Sequence, residues 1–161
     1  LHGHVVLVGY GEKGKIILDE LLQRDLSVVV VDDHHAVVEE LREKKVNSIY
    51  GDATDPAILI QAHIHEAAIL VLAIDNEILC RKIVETAKIL RPTIETVMPA
   101  ENEEDAKALK ADGVAQAFVP DELLAQAIVQ FTMSRFGKES EDQKIREEEA
   151  EEQKAIERGA L

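Results

Sequence analysis

The sequence predicts an α/β fold, with a doubly wound, six-stranded, mostly parallel sheet and helices on both faces. Short apolar runs alternate along the chain with amphipathic stretches, which is the pattern of repeated strand–helix units. Apolar residues make up 46% of the chain and aromatic residues only 3%, so Val, Ile, Leu and Ala must fill the core. Such a core suits a parallel sheet that is buried on both faces. A glycine-rich turn directly after the first apolar run is the third observation.

The first half of the chain contains three strand–helix units. Each strand is a short run rich in β-branched residues, and each helix carries apolar residues three or four positions apart. We predict strands at residues 4–8, 27–32 and 48–50, and helices at residues 13–24, 36–44 and 56–62. The third helix begins after Asp55, because Asp is a favoured N-cap and the following proline fits the first helical position.

The second half repeats the pattern and then changes abruptly. We predict strands at residues 68–74, 95–98 and 116–119, and helices at residues 78–90, 103–111 and 121–136. After Gly137 the chain is dominated by Glu, Gln, Lys and Arg, with Ile145 and Ile156 as its large apolar residues before the final leucine. Such a segment cannot bury enough surface to fold alone. The sequence therefore predicts a domain at residues 1–137 and an acidic tail, helical or disordered, at residues 138–161.

The glycine-rich turn indicates the ligand. Gly9, Gly11 and Gly14 form the pattern Gly-x-Gly-x-x-Gly between the first strand and the first helix, where proteins hold a pyrophosphate. Gly9 allows the tight turn, Gly11 lets the backbone approach the phosphates, and Gly14 lets the helix pack on the strand. Asp32 ends the second strand roughly 18 residues after Gly14, close to where an acid binds the ribose hydroxyls. A dinucleotide or another adenosine nucleotide is the predicted ligand.

Charge and cysteine content restrict the partners. The formal net charge of −14 argues against nucleic acid or an anionic membrane surface, since both need basic surfaces. Cys80 is the single cysteine of the sequence, so an internal disulfide is excluded. No apolar run reaches 18 residues, and we expect the isolated chain to be soluble. The chain starts without Met and enters a strand at once, so we expect it to be a segment of a longer protein.

Further motifs give the chain a family resemblance. They are Gly51-Asp52-Ala53-Thr54, Ala73-Ile74-Asp75-Asn76 and the stretch at residues 111–120. With them, residues 4–136 resemble the regulator of potassium conductance family, also called the TrkA-N or potassium-transport nucleotide-binding domain. The version in Kef-type potassium efflux antiporters is the most similar. The resemblance implies a Rossmann-like sensor at the cytoplasmic face of the inner membrane. It would bind AMP or NAD(H), form a homodimer and gate a membrane-embedded potassium/proton transport domain.

The resemblance also assigns roles to residues. It places the three glycines at the phosphates, Asp32 at the adenosine ribose, and Asp52 with Ala53 beside the adenine. The loop after the fourth strand would face the distal half of a dinucleotide. One departure is Glu12, since many relatives carry Arg there and a carboxylate repels phosphate unless Lys13 or Lys15 compensates. The predicted site residues are Gly9, Tyr10, Gly11, Glu12, Lys13, Gly14, Asp32, Asp33, Asp52, Ala53, Ala73, Ile74, Asp75 and Asn76.

Three alternative functions share the nucleotide turn. A small NAD-dependent oxidoreductase needs an acid or base beside its substrate and a substrate-binding segment, and the sequence offers neither. A methyltransferase fits the third glycine and the Gly-Asp-Ala-Thr loop less well. The third alternative is the gating-ring domain of a calcium- or nucleotide-gated potassium channel. Its calcium-gated form would use clustered carboxylates, for which the candidates are Asp75, Glu77, Glu101 and Glu103. We therefore predict a regulatory domain with neither catalytic residues nor a metal ligand set.

Overall fold

The structure, a computed structural model, describes residues 1–159, without the side chains of residues 138–140. Its strands are β1 (Val5–Val8), β2 (Val28–Asp32), β3 (Ser48–Tyr50), β4 (Ile69–Leu72), β5 (Glu95–Pro99) and β6 (Gln116–Phe118). Its helices are α1 (Glu12–Gln23), α2 (His35–Glu43), α3 (Pro56–Gln61), α4 (Glu77–Leu90), α5 (Glu103–Ala111) and α6 (Pro120–Glu157). Strands and helices alternate along residues 5–157, as the sequence predicts.

The six strands form one sheet in the order β3-β2-β1-β4-β5-β6, and every pairing is parallel. β1 lies at the centre, because Val5 is paired with Val28 of β2 on one side and with Ile69 of β4 on the other. The chain thus builds outward from β1 in both directions, which confirms the predicted doubly wound fold. In such a sheet the order reverses between β1 and β4, and ligands bind at the carboxyl ends of these strands.

Successive side chains of the central strands enter two separate cores. Val6 and Val8 of β1 belong to a core that also contains buried residues of α3, α4 and α5. Val5 and Leu7 face the opposite side, where they pack with buried residues of α1 and α2. This alternation is the period of two expected for a strand, and it explains why both faces of β1 and β2 are apolar.

The C-terminal helix differs from the prediction. The sequence predicts that this helix ends at residue 136, whereas α6 continues without interruption through Gly137 to Glu157. Its distal half is rich in Glu, Lys, Gln and Ala, which have high helix propensity even without a core to pack on. The chain divides into two compact units, Leu1–Pro120 and the remainder from Asp121. No helix within residues 1–159 is long and apolar enough to cross a membrane.

Candidate functional site

A cleft of about 510 Å³ opens at the carboxyl ends of the central strands. Its volume lies in the range of small-molecule sites, and its position is the one where the strand order reverses. Residues at or after the ends of β1, β2, β3 and β4 contribute to it. The lining residues are Val8, Gly9, Tyr10, Gly11, Val31, Asp32, Asp33, His34, Val37, Gly51, Asp52, Ala53, Ala73, Ile74, Asp75, Leu79 and Ile83.

The glycine turn has the geometry that each glycine position requires. Gly9 has φ +98°, a conformation that side chains disfavour. A Cβ atom on Gly14 would lie 2.1 Å from the Gly9 carbonyl oxygen, so only glycine lets α1 approach β1 this closely. A Cβ atom on Gly11 would meet no atom within 4 Å and would stand in open space. The turn is therefore closed on the protein side at Gly14 and open on the cleft side at Gly11.

The N-terminus of α1 has no side-chain cap. Gly11 is the N-cap residue and supplies no side chain, whereas Asp55, Asn76 and Asn102 cap the starts of α3, α4 and α5 through their carboxyl or amide oxygens. The first amides of a helix have no partner within the helix, and they attract anions. With Gly11 lining the cleft, these amides are groups that could hold a phosphate.

Asp32 is held in a fixed orientation at the end of β2. Its side chain is buried, and its Oδ2 atom accepts a hydrogen bond of 2.9 Å from the backbone amide of Tyr10. Its Oδ1 atom accepts bonds from the His34 amide at 2.8 Å and from the His34 ring at 2.9 Å. Carboxylate oxygens have further lone pairs, so Asp32 can still accept hydrogen bonds from the hydroxyl groups of a ribose in the cleft.

His34 is a lining residue that the sequence analysis missed. Its ring Nδ1 atom lies 2.9 Å from both Asp32 Oδ1 and Asp33 Oδ1, although the side chain remains 75% exposed. The hydrogen bond with Asp32 raises the pKa of His34 above its usual value, and the charge of Asp33 raises it further. The Asp-Asp-His sequence was the available signal, since a histidine two residues after a strand-ending acid can turn back onto it.

The loop after β3 supplies the predicted adenine side of the cleft. Asp52 and the buried Ala53 both line it. Asp52 Oδ1 accepts hydrogen bonds from the Thr54 hydroxyl at 2.7 Å and the Thr54 amide at 2.8 Å, and these bonds lower the pKa of Asp52 below its usual value. These bonds tie the Asp52 carboxylate to its own loop.

Four of the predicted site residues lie outside the lining. Gly14 packs behind the turn, and Glu12 is the exposed first residue of α1. Lys13 forms an ion pair with Asp75, which itself lines the cleft. Asn76 does not face the cleft, because its side-chain oxygen accepts a 2.9 Å bond from the Leu79 amide and caps α4. The remaining predicted residues converge on the cleft.

The ionisable side chains that line the cleft are mostly acidic. Asp32, Asp33, Asp52 and Asp75 line it, and among the described residues no lysine or arginine does. The carboxylates considered for a divalent cation are more dispersed. Within the part of the chain that the structure describes, Asp75, Glu77, Glu101 and Glu103 do not bring three ligand atoms within 4.8 Å of one another.

Comparison with known proteins finds one domain family and relatives that carry names of cation or potassium transport proteins. A family model described as the TrkA-N domain matches residues 5–120. The chain is 30% identical over 79% of its length to Escherichia coli YbaL, which carries the name of a cation/proton antiporter. It is 33% identical over 74% of its length to potassium channel protein 1 of Methanocaldococcus jannaschii. It is 30% identical over 70% of its length to the glutathione-regulated potassium-efflux system protein KefC of Cronobacter sakazakii.

The chain spans only part of these relatives, namely 23% of YbaL, 37% of the channel protein and 18% of KefC. The crystal structure of the TrkA-N domain of E. coli YbaL has a TM-score of 0.77 at 29% identity and covers 81% of this chain and 97% of its own. The Shewanella denitrificans Kef CTD in AMP-bound form has a TM-score of 0.66 at 24% identity, covering 81% and 80%. The GsuK channel bound to NAD has a TM-score of 0.65 at 21% identity, covering 74% and 22%.

Proposed function

The chain belongs to the TrkA-N domain family, and from this we propose that it is a regulatory domain that binds an adenine nucleotide, AMP or NAD(H), to control potassium transport. The observation that carries the proposal is the joint position of two groups in one cleft. The uncapped start of α1 lies after β1, and the fixed carboxylate of Asp32 ends β2. The first attracts a phosphate and the second accepts hydroxyl hydrogen bonds.

The ligand would lie across the carboxyl ends of the strands. Its phosphates would contact the amides at the start of α1, its ribose hydroxyls would donate to Asp32, and its adenine would lie beside Asp52 and Ala53. Two proteins of the same fold support this assignment, since the Kef CTD structure contains AMP and the GsuK channel structure contains NAD.

Control of transport follows from linkage. A nucleotide shifts a conformational equilibrium only by the difference between its affinities for two arrangements, and a tenfold difference corresponds to about 1.4 kcal/mol. We propose that the arrangements belong to a potassium efflux antiporter of the Kef type, or a related potassium transport system, with this domain at the cytoplasmic face of the inner membrane. Two relatives support this setting, since YbaL carries the name of a cation/proton antiporter and KefC that of a potassium-efflux system protein. In this role the nucleotide is an effector and undergoes no reaction.

We further propose that the domain is a homodimer formed through the first half of α6. Seven large apolar side chains within residues 123–136 are between 46% and 63% exposed, namely Leu123, Leu124, Ile128, Val129, Phe131, Met133 and Phe136. They lie on all sides of the helix, and a helix that is apolar all round is normally buried. A second copy of the chain would provide the same apolar surface in return, which is typical of a two-fold interface.

The dimer is tested by measuring molar mass with light scattering during size-exclusion chromatography. Phe131→Asp should convert the protein to a monomer, because a carboxylate cannot be buried in an apolar interface without a partner. Ile156→Asp is the matched control, since Ile156 is 53% exposed on the same helix but lies beyond the apolar segment. A wild-type monomer at all accessible concentrations would contradict this part of the proposal.

Nucleotide binding is tested on the purified wild-type chain. Mass spectrometry of the denatured protein should detect a retained adenine nucleotide, and calorimetry should detect binding of AMP, NAD or NADH. Asp32→Ala should weaken the binding by roughly 1–3 kcal/mol, the range for losing a hydrogen bond to a charged group. NADP should bind poorly, because Asp32 repels a 2′-phosphate. If AMP, NAD and NADH all fail to bind at millimolar concentration, the proposed function is wrong.

A further inference from the structure

An ion pair joins the start of α1 to the loop that follows β4. The ammonium of Lys13, the second residue of α1, donates to Oδ1 of Asp75 in the loop between β4 and α4. These residues are 62 positions apart in sequence, and their elements follow the two adjacent strands between which the strand order reverses. The pair therefore lies where the phosphates of a bound nucleotide would enter.

Few other cations are available to the phosphates. No lysine or arginine among the described residues lines the cleft, and four aspartates do. Lys15 is also close in sequence to the glycine turn, but its Nζ atom lies 5.6 Å from the centroid of the Tyr10 ring. Lys13 is thus the cation nearest in sequence to Gly11, and it is already engaged by a carboxylate.

We infer that Asp75 is an internal competitor of the nucleotide phosphate for Lys13, so that binding exchanges the Lys13–Asp75 pair for a Lys13–phosphate pair. This inference rests on the proposed function, because it requires a phosphate at the start of α1. Phosphate and carboxylate oxygens are alternative acceptors for one ammonium group, and both components of the pair are exposed enough to separate, at 45% for Lys13 and 78% for Asp75.

The exchange gives Asp75 a role in selecting ligands. Its carboxylate opposes a phosphate twice, by holding Lys13 and by direct repulsion, and it does not oppose a nucleoside without phosphate. Occupancy would also release Asp75 directly before Asn76, the residue that caps α4. The loop between β4 and α4 thereby becomes the segment whose contacts change when the ligand binds.

The experiment compares the wild type with Asp75→Asn by calorimetry, using AMP and adenosine at low and high salt. Asp75→Asn should bind AMP roughly two- to fivefold tighter at low salt, the range for an exposed charge pair. Adenosine affinity should not change, and the gain for AMP should shrink as salt screens the charges. Asp112→Asn is the matched control, because it removes the same charge at the exposed C-cap of α5, outside the cleft.

A double variant tests whether Asp75 acts through Lys13. Lys13→Gln should weaken AMP binding, and Asp75→Asn should give a smaller gain in that background than in the wild type. The inference is overturned if wild type binds AMP but Asp75→Asn binds it equally or more weakly, or if adenosine gains as much as AMP. A fully retained gain in the Lys13→Gln background also overturns it. In these cases the proposed function stands, whereas a wild type that binds no nucleotide overturns both.

Discussion

Two glycine-to-alanine substitutions in the same turn should have opposite consequences for folding and binding. Gly14→Ala places a methyl group 2.1 Å from the Gly9 carbonyl oxygen and 2.9 Å from the Gly9 carbonyl carbon. Ordinary contact begins near 3.4 Å, so the helix and the turn would have to separate by about 1.3 Å. Both neighbouring atoms belong to the backbone and cannot move aside as a flexible side chain can.

The expected effect of Gly14→Ala on stability is a net loss. Overpacking typically costs about 1–3 kcal/mol, and a backbone contact this short belongs at the upper end of that range. The higher helix propensity of alanine offsets up to about 1 kcal/mol of this cost, so the free energy of unfolding should fall by about 2 kcal/mol. For a chain of this size the melting temperature should fall by roughly 4–8 °C. Thermal unfolding without nucleotide measures the change.

Gly11→Ala is the matched comparison. Its Cβ atom meets nothing within 4 Å, and its φ of −77° suits any residue, so stability should change by less than about 0.5 kcal/mol. The methyl group would nevertheless stand between the start of α1 and the ligand, and AMP affinity should fall at least about tenfold, or 1.4 kcal/mol. An unchanged AMP affinity in Gly11→Ala would show that the phosphate does not bind at this turn. A Gly14→Ala protein as stable as wild type would refute the close packing of α1 on β1.

Three further predictions concern charge and reactivity. In calorimetry, Glu12→Arg should tighten AMP binding more than Glu12→Gln does, and the gain should shrink at high salt. If Glu12→Arg leaves the AMP affinity unchanged at low salt, residue 12 does not face the phosphates. The pKa of His34 is raised in the folded protein, so protonation of this side chain stabilises the fold. This stabilisation is fully present at a pH below the pKa of His34 in the unfolded chain, which is near 6.5, and it is lost as the pH rises through the pKa in the folded protein. Urea unfolding should therefore show that His34→Gln is more destabilising at pH 6 than at pH 9, and a pH-independent difference would contradict this. NADH oxidation with aldehydes, ketones or quinones should stay at the buffer rate, and reproducible turnover would favour the oxidoreductase alternative.

Local signals in the sequence were sufficient for the fold. The first strand was predicted at residues 4–8 and is Val5–Val8, and the fifth helix was predicted at residues 103–111 and is Glu103–Ala111. Apolar periodicity, the glycine turn and the N-cap at Asp55 all act within a few residues, so one sequence reveals them. The sequence leaves the tail after residue 137 as either helical or disordered, because a loss of apolar residues looks the same in a solvated helix and in a disordered segment.

The candidate site was less fully predictable. The sequence identifies Gly11, Asp32 and Asp52 because each ends or follows a strand in a recognised motif, and all three line the cleft. The resemblance places Asn76 at the cleft, although its position before a helix favours an N-cap, which is the role it has in the structure. The Lys13–Asp75 pair joins residues 62 positions apart, and only the packing of the strands brings them together.

A crystal structure of this chain grown with AMP would test the placement of the ligand most directly. We expect the phosphate within hydrogen-bond distance, about 3 Å, of backbone amides at the start of α1, and a ribose hydroxyl at a similar distance from Asp32. AMP bound in a different cleft, or in this cleft with its phosphate away from the glycine turn, would contradict the proposed nucleotide site.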